Sequence, residues 1–118
     1  MKMNYFVVGT NNRKASVKFY DSLFDGTGFT QLFADERMTF WRCEEFTFSV
    51  AEPFDGEKAS NGNGTMVGFK VESIGEVERL YKKAIELGGT GEGEPNKRGS
   101  YFSAYVRDLD SNKLCFFE

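Results

Sequence analysis

The side chains able to attack, chelate or carry a proton are few: the thiols of Cys43 and Cys115, the thioether of Met66, the phenol of Tyr5 and the close carboxylates Asp108 and Asp110. There is no histidine anywhere in the chain. That removes the commonest transition-metal ligand and the usual general base at neutral pH, and with it Ser-His-Asp and Cys-His catalysis. Cys115 lies in the closing stretch "YVRDLDSNKLCFFE". It becomes a nucleophile only if something lowers its pKa. Lys70 is the one cation that strand alternation puts on its side, so a buried, inert thiol is the preferred reading. Asp108 and Asp110 read as turn carboxylates that cap backbone amides. The Gly-rich "GTGEGEPNKRG" follows a helix and precedes a strand, so it is not a phosphate cradle of the helix-opening kind. Lys97 and Arg98 within it could reach over a pocket mouth to an anionic ligand; solvated loop charge is the plainer reading.

The composition limits what these groups can serve. Hydrophobic residues make up 40% and charged residues 28% of the 118, ordinary values for one globular domain. The formal charge of −3, with no Lys/Arg cluster, argues against nucleic acid as a partner. No window approaches the ~18 consecutive apolar residues needed to span a bilayer, so no membrane is expected. The opening "MKMNYFVVGT" is too soon followed by charge to read as a secretory signal. Two cysteines make no disulfide framework, and a reducing cytoplasm is the expected location. Thirteen phenylalanines predict a core or cavity built from large flat side chains.

The elements that must position these groups occur twice. "NYFVVGT" reads as a strand, and "NNRKASVKFYDSLF" as a helix capped by Asn11 or Asn12, with an apolar stripe through Ala15, Phe19 and Leu23. Three strands follow, around "FTQLFAD", "RMTFWRC" and "FTFSVAE". After the polar, Gly-rich and Asn-rich "PFDGEKASNGNG", read as a surface loop able to close over a pocket, the order returns. "TMVGFKV" is a strand and "SIGEVERLYKKAIELGG" a helix capped by Ser73, with Ile74, Val77, Leu80, Tyr81, Ala84 and Ile85 as its buried stripe. Short strands are predicted at "TGEGE", "SYFSAYVRD" and "KLCFFE". Laying Tyr20 over Tyr81 aligns the halves, with Tyr5 over Met66 and Val8 over Phe69. The expected fold is α+β, two βαβββ modules forming a curved mixed sheet around a trough. The modules span 1–53 and 64–118, with a connector at 54–63. Alternation turns Phe6, Val8, Phe46, Phe48, Val50, Leu114 and Phe116 toward the helices. Tyr5, Val7, Thr47, Ser49, Met66, Gly68, Lys70, Cys115 and Phe117 face the trough. The parity of "RMTFWRC" leaves either Trp41 or Phe40 as the inward residue.

The ending "YFSAYVRDLDSNKL", the opening "FVVGTNNRKASVKFYDSLF" and the middle "GTMVGFKV" resemble the glyoxalase/bleomycin-resistance/extradiol-dioxygenase group, the vicinal oxygen chelate superfamily. The resemblance covers essentially the whole chain. It implies a divalent metal in the trough, held by His or Glu. Carried over residue by residue, the family's ligand positions fall on Tyr5, Met66 and Cys115, so all three chelators are replaced. Phenol and thioether are poor donors for Mg²⁺, Mn²⁺ or Ni²⁺. Met66 and Cys115 are soft enough for Cu(I), but such a site usually gathers more sulfur or imidazole. Glu118 reads as a frayed end pointing away from Cys115. Within "DLDSN", serine stands where the family has a glycine suited to positive φ, and Asn112 is expected to take the left-handed conformation instead. The expectation is therefore a protein with no metal and no cofactor, similar to the drug-sequestering members. Its small, flat, mostly apolar ligand would meet Tyr5, Val7, Trp41, Met66, Cys115, Phe117 and Arg98. A homodimer is expected, because family members commonly complete their troughs by dimerising. The alternative is a metal-dependent, lactoylglutathione lyase-like enzyme or a dioxygenase.

Overall fold

The computed structural model describes residues 1–118. The order β-α-β-β-β occurs twice. The first unit holds β1 (Tyr5–Gly9), α1 (Arg13–Phe24), β2 (Thr30–Ala34), β3 (Met38–Cys43) and β4 (Phe46–Ala51). The second holds β5 (Met66–Lys70), α2 (Ile74–Glu86), β6 (Thr90–Arg98), β7 (Tyr101–Arg107) and β8 (Lys113–Phe117). The strands form two four-stranded sheets, ordered β1-β4-β3-β2 and β5-β8-β7-β6. Each opens with a parallel pair, β1 with β4 and β5 with β8, and continues antiparallel. The fold is α+β, with two mixed sheets that do not close on one another.

Local chemistry sets the helix ends. The Asn12 side-chain oxygen accepts from the Ala15 N–H at 3.1 Å, and Ser73 Oγ accepts from the Glu76 N–H at 3.1 Å. Each satisfies a donor that the first helical turn leaves free. Gly88, at φ 103°, ends α2 in a conformation that side chains resist. One strand departs from expectation. β6 is not a short strand at "TGEGE" but runs nine residues, because register shifts around Gly93 absorb Pro95, which has no N–H to donate.

The helix-facing sides of both sheets share one core. Phe19, Tyr20, Leu23, Phe24, Trp41 and Phe48 from the first unit pack in the same cluster as Val77, Leu80, Val106, Leu114 and Phe116 from the second. Phe69 joins them, its ring 5.8 Å from Phe24, 5.8 Å from Phe29, 5.7 Å from Phe48 and 6.0 Å from Phe116. Ile74 and Ile85 were expected in this stripe but are exposed. Ile74 opens α2 ahead of the packed turns, and Ile85 sits at the rim of the stripe that Val77, Leu80 and Ala84 occupy.

Polar ties reinforce the seam. The buried Tyr20 hydroxyl on α1 donates to Asp108 Oδ2 at 2.5 Å. Asp108 also accepts from the backbone of Asp110 and Asn112 and from Asn112 Nδ2, as an amide-capping turn carboxylate should. Asn112 Nδ2 donates in addition to the Gly9 carbonyl at 2.9 Å, and Asp110 accepts from the Asn11 N–H. The residue with positive φ in this turn is Ser111, at 66°, not Asn112, whose side chain is committed to Asp108 and Gly9. The connector is likewise held: Asn11 exchanges two hydrogen bonds with the Ala59 backbone. Nor does the chain fray at Glu118, whose N–H and carbonyl both pair with Phe102.

Candidate functional site

Each sheet has a second face, turned away from the helices. On the first sheet the register lines up Tyr5 with Thr47 and Arg42, and Val7 with Ser49, Phe40 and Phe33. Tyr5 is 61% exposed, and Thr47 and Ser49 are buried between their neighbours. This face offers rings, methyl groups and neutral hydroxyls, with one exposed cation, Arg42. Trp41 does not belong to it. The indole is 1% exposed, stands beside Tyr20, Phe24 and Phe48, and donates its N–H to Asp21 Oδ1 at 2.8 Å. β3 pairs Trp41 with the core residue Phe48 and Phe40 with Ser49, which settles the parity: Phe40 is the inward residue.

On the second sheet three rows cross the open face. Gly68, Cys115, Tyr105 and Gly93 form the middle one, between Met66–Lys113–Arg107 and Lys70–Phe117–Ser103–Asn96. Met66 is 46% exposed, whereas Cys115 is 6% exposed. Burial pushes the Cys115 thiol up, against smaller opposing pulls from Tyr105, Arg98 and Lys113. At neutral pH it is a protonated, weakly nucleophilic group. The Phe117 ring meets Tyr101 edge-on at 5.4 Å.

Arg98 does not wave in a loop. It ends β6, donates from Nη1 to the Ser103 carbonyl and from Nη2 to the Glu94 carbonyl at 2.8 Å, and lays its guanidinium 5.1 Å from the centre of the Tyr105 ring. Lys113 places its ammonium 5.2 Å from the same centre. Lys97 is exposed, and its register partner is Phe102. Tyr105 and Lys113 were not singled out from the sequence. The signal was available, since Lys113 is two residues from Cys115 and so shares its face, and Tyr105 is its cross-strand partner.

The expected site residues therefore stand on two sheets: Tyr5 and Val7 on one, Met66, Cys115, Phe117 and Arg98 on the other. A separate cavity of about 310 Å³ opens along the seam between the units, lined by Phe24, Phe29, Phe46, Phe69 and Phe116 with Cys43 and Lys70. Of the residues expected to face the trough, Gly68 and Lys70 border it, but none of those expected to touch the ligand does.

Residues 2–116 match the Glyoxalase/Bleomycin resistance protein/Dioxygenase superfamily. The chain belongs to that superfamily. A glyoxalase/bleomycin resistance protein from Albidiferax ferrireducens T118 is 34% identical, with a TM-score of 0.91 over 98% of this chain and 96% of that one. A hypothetical protein from S. aureus, SA1046, shares the fold at 22% identity and TM-score 0.80, covering 99% of this chain and 92% of its own. So does a lactoylglutathione lyase from Agrobacterium tumefaciens, at 17% identity and TM-score 0.74, covering 100% and 92%. No curated protein shows significant sequence similarity. The side chains at Tyr5, Met66 and Cys115, where the resemblance led chelators to be expected, are poor donors for a hard cation. They offer a phenol, a thioether and a thiol held protonated by burial. No three His, Cys, Asp or Glu side chains come together anywhere in the structure as an ion would require.

Proposed function

We propose that this superfamily member binds a small, flat, mostly apolar molecule between the open faces of its sheets, without a metal. The observation that carries the reading is the donor set: where the superfamily's chelators are expected, the side chains are Tyr5, Met66 and Cys115. Rings, a thioether and neutral hydroxyls suit stacking and sulfur–ring contact better than chelation. Tyr5, Val7, Met66 and Phe117 would form the walls, with Phe40 in the place first given to Trp41. The two faces belong to separate sheets, and Tyr5 and Met66 are exposed in the single chain. A homodimer in which each face covers the other's counterpart would bury both.

Elemental analysis of the purified protein tests the metal-free reading. The expected result is less than about a tenth of a divalent ion per chain, and one tightly held ion per chain would sink it. Methylglyoxal-hemithioacetal turnover that depends on added Ni²⁺ or Zn²⁺ would favour the lactoylglutathione lyase-like alternative. Light scattering should return twice the chain mass.

A further inference from the structure

We propose that the ligand is a flat organic anion, and that its acidic end is received on the second sheet by Arg98 and Lys113, both carried against the Tyr105 ring. The inference rests on the reading of the open faces as a ligand site and names the class of ligand. Two cations stand at 5.1 Å and 5.2 Å from one ring centre. The ring attracts each of them, and an anion bound beside the ring gains from both charges. Neither takes part in an ion pair within the chain, although Lys113 also feels the carboxylate of Glu92. The Arg98 hydrogen bonds go to the Ser103 carbonyl and hydroxyl and the Glu94 carbonyl, which fix its direction without neutralising it. Arg107, on the same face, is instead paired with Glu92.

The arrangement is built into the strands. A Cβ at Gly93 would lie 2.7 Å from Tyr105 Cδ2 and 3.2 Å from Arg98 Nη2, so the ring and guanidinium need a glycine beneath them. Lys70 lies on the same face, two residues along the strand from Gly68. This concentration of positive charge occurs in a chain whose net charge is −3, so it is not a by-product of basic composition. The first sheet's open face carries Tyr5, Val7, Phe40, Thr47 and Ser49 over the same rows, with the exposed Arg42 as its cation beside Thr47. One face suits an aromatic body and the other an acidic substituent.

Calorimetric titration with 1-naphthoate and its neutral isostere 1-naphthamide tests the assignment at low ionic strength. The wild-type protein should bind the acid at least about tenfold more tightly than the amide. Lys113→Gln should reduce that preference at least about fivefold, with circular dichroism showing that the variant is folded. Lys97→Gln removes the same charge on the same sheet, away from the Tyr105 ring, and should leave the preference intact. Equal binding of acid and amide overturns the anion assignment but leaves the flat-ligand reading standing. Failure of both to bind at millimolar concentration overturns both. An equal loss in the two lysine variants would show diffuse attraction and no local site, and would also overturn the assignment.

Discussion

A thiol at 6% exposure, with two cations and a phenol near it, is pulled in opposite directions. Proximity to Arg98 and Lys113 favours the thiolate, and removal from water favours the thiol; burial is the larger influence. Cys43 is partly exposed by comparison. With iodoacetamide at pH 7.5, peptide mapping should find Cys43 alkylated at least about tenfold faster than Cys115. Cys115 should gain on it only as pH rises beyond the ordinary thiol range. Faster labelling of Cys115 at pH 7.5 would mean the cations prevail, and would reopen a nucleophilic role. Residue-level reading of the sequence succeeded here because alternation needs only a strand and a known neighbour. It stopped at Trp41, since the side on which a hairpin strand presents its indole depends on the length of the turn between β3 and β4. It also passed over Tyr105, whose importance arises from residues on two other strands.

The turn joining β7 to β8 shows how an element tolerates an awkward residue. Ser111 adopts φ 66°, which costs a side chain about 1–2 kcal/mol relative to the right-handed region. Asp108 compensates by accepting from the backbone amides of Asp110 and Asn112. Ser111→Gly removes the steric cost but loosens the unfolded chain, so a net gain of roughly 0.5–1 kcal/mol is expected from urea denaturation. A loss of stability would show that the serine contributes something beyond its backbone angle. That a residue near this position must take positive φ was legible in "DLDSN". The choice of Ser111 over Asn112 was not, because it depends on Asn112 bonding to Gly9 in the other half of the chain. Strand β6 was legible only in its first part, "TGEGE": the continuation "PNKR" has no β-branched residue, and pairing with β7 alone keeps it extended.

For the molecule as a whole, the seam between the two units is the feature that the repeat pattern alone did not supply. Halves related by a repeat can pack in more than one way, and here they meet through their helix sides. Tyr20 and Asp108 cross that seam. Burial raises the Asp108 pKa, while the Tyr20 and Asn112 hydrogen bonds lower it. Because the folded value stays above the unfolded one, the group's contribution is fullest below the unfolded carboxylate pKa. It is lost as pH rises through the folded pKa. Tyr20→Phe takes one donor from the carboxylate and should cost about 1.5–3 kcal/mol at pH 7. The cost should shrink near pH 3, where the protonated acid depends less on that donor. A pH-independent penalty in urea titrations would place the loss in packing instead.

The rings gathered around Phe69 carry a consequence for how two copies of this chain could trade parts. Handing a whole module to a neighbour would first require Phe69 to leave Phe24, Phe29 and Phe48 of the first unit, opening the core along the seam. Once made, each chain's pairing of its own halves should therefore persist for as long as the protein stays folded, and any traffic between copies should involve intact chains.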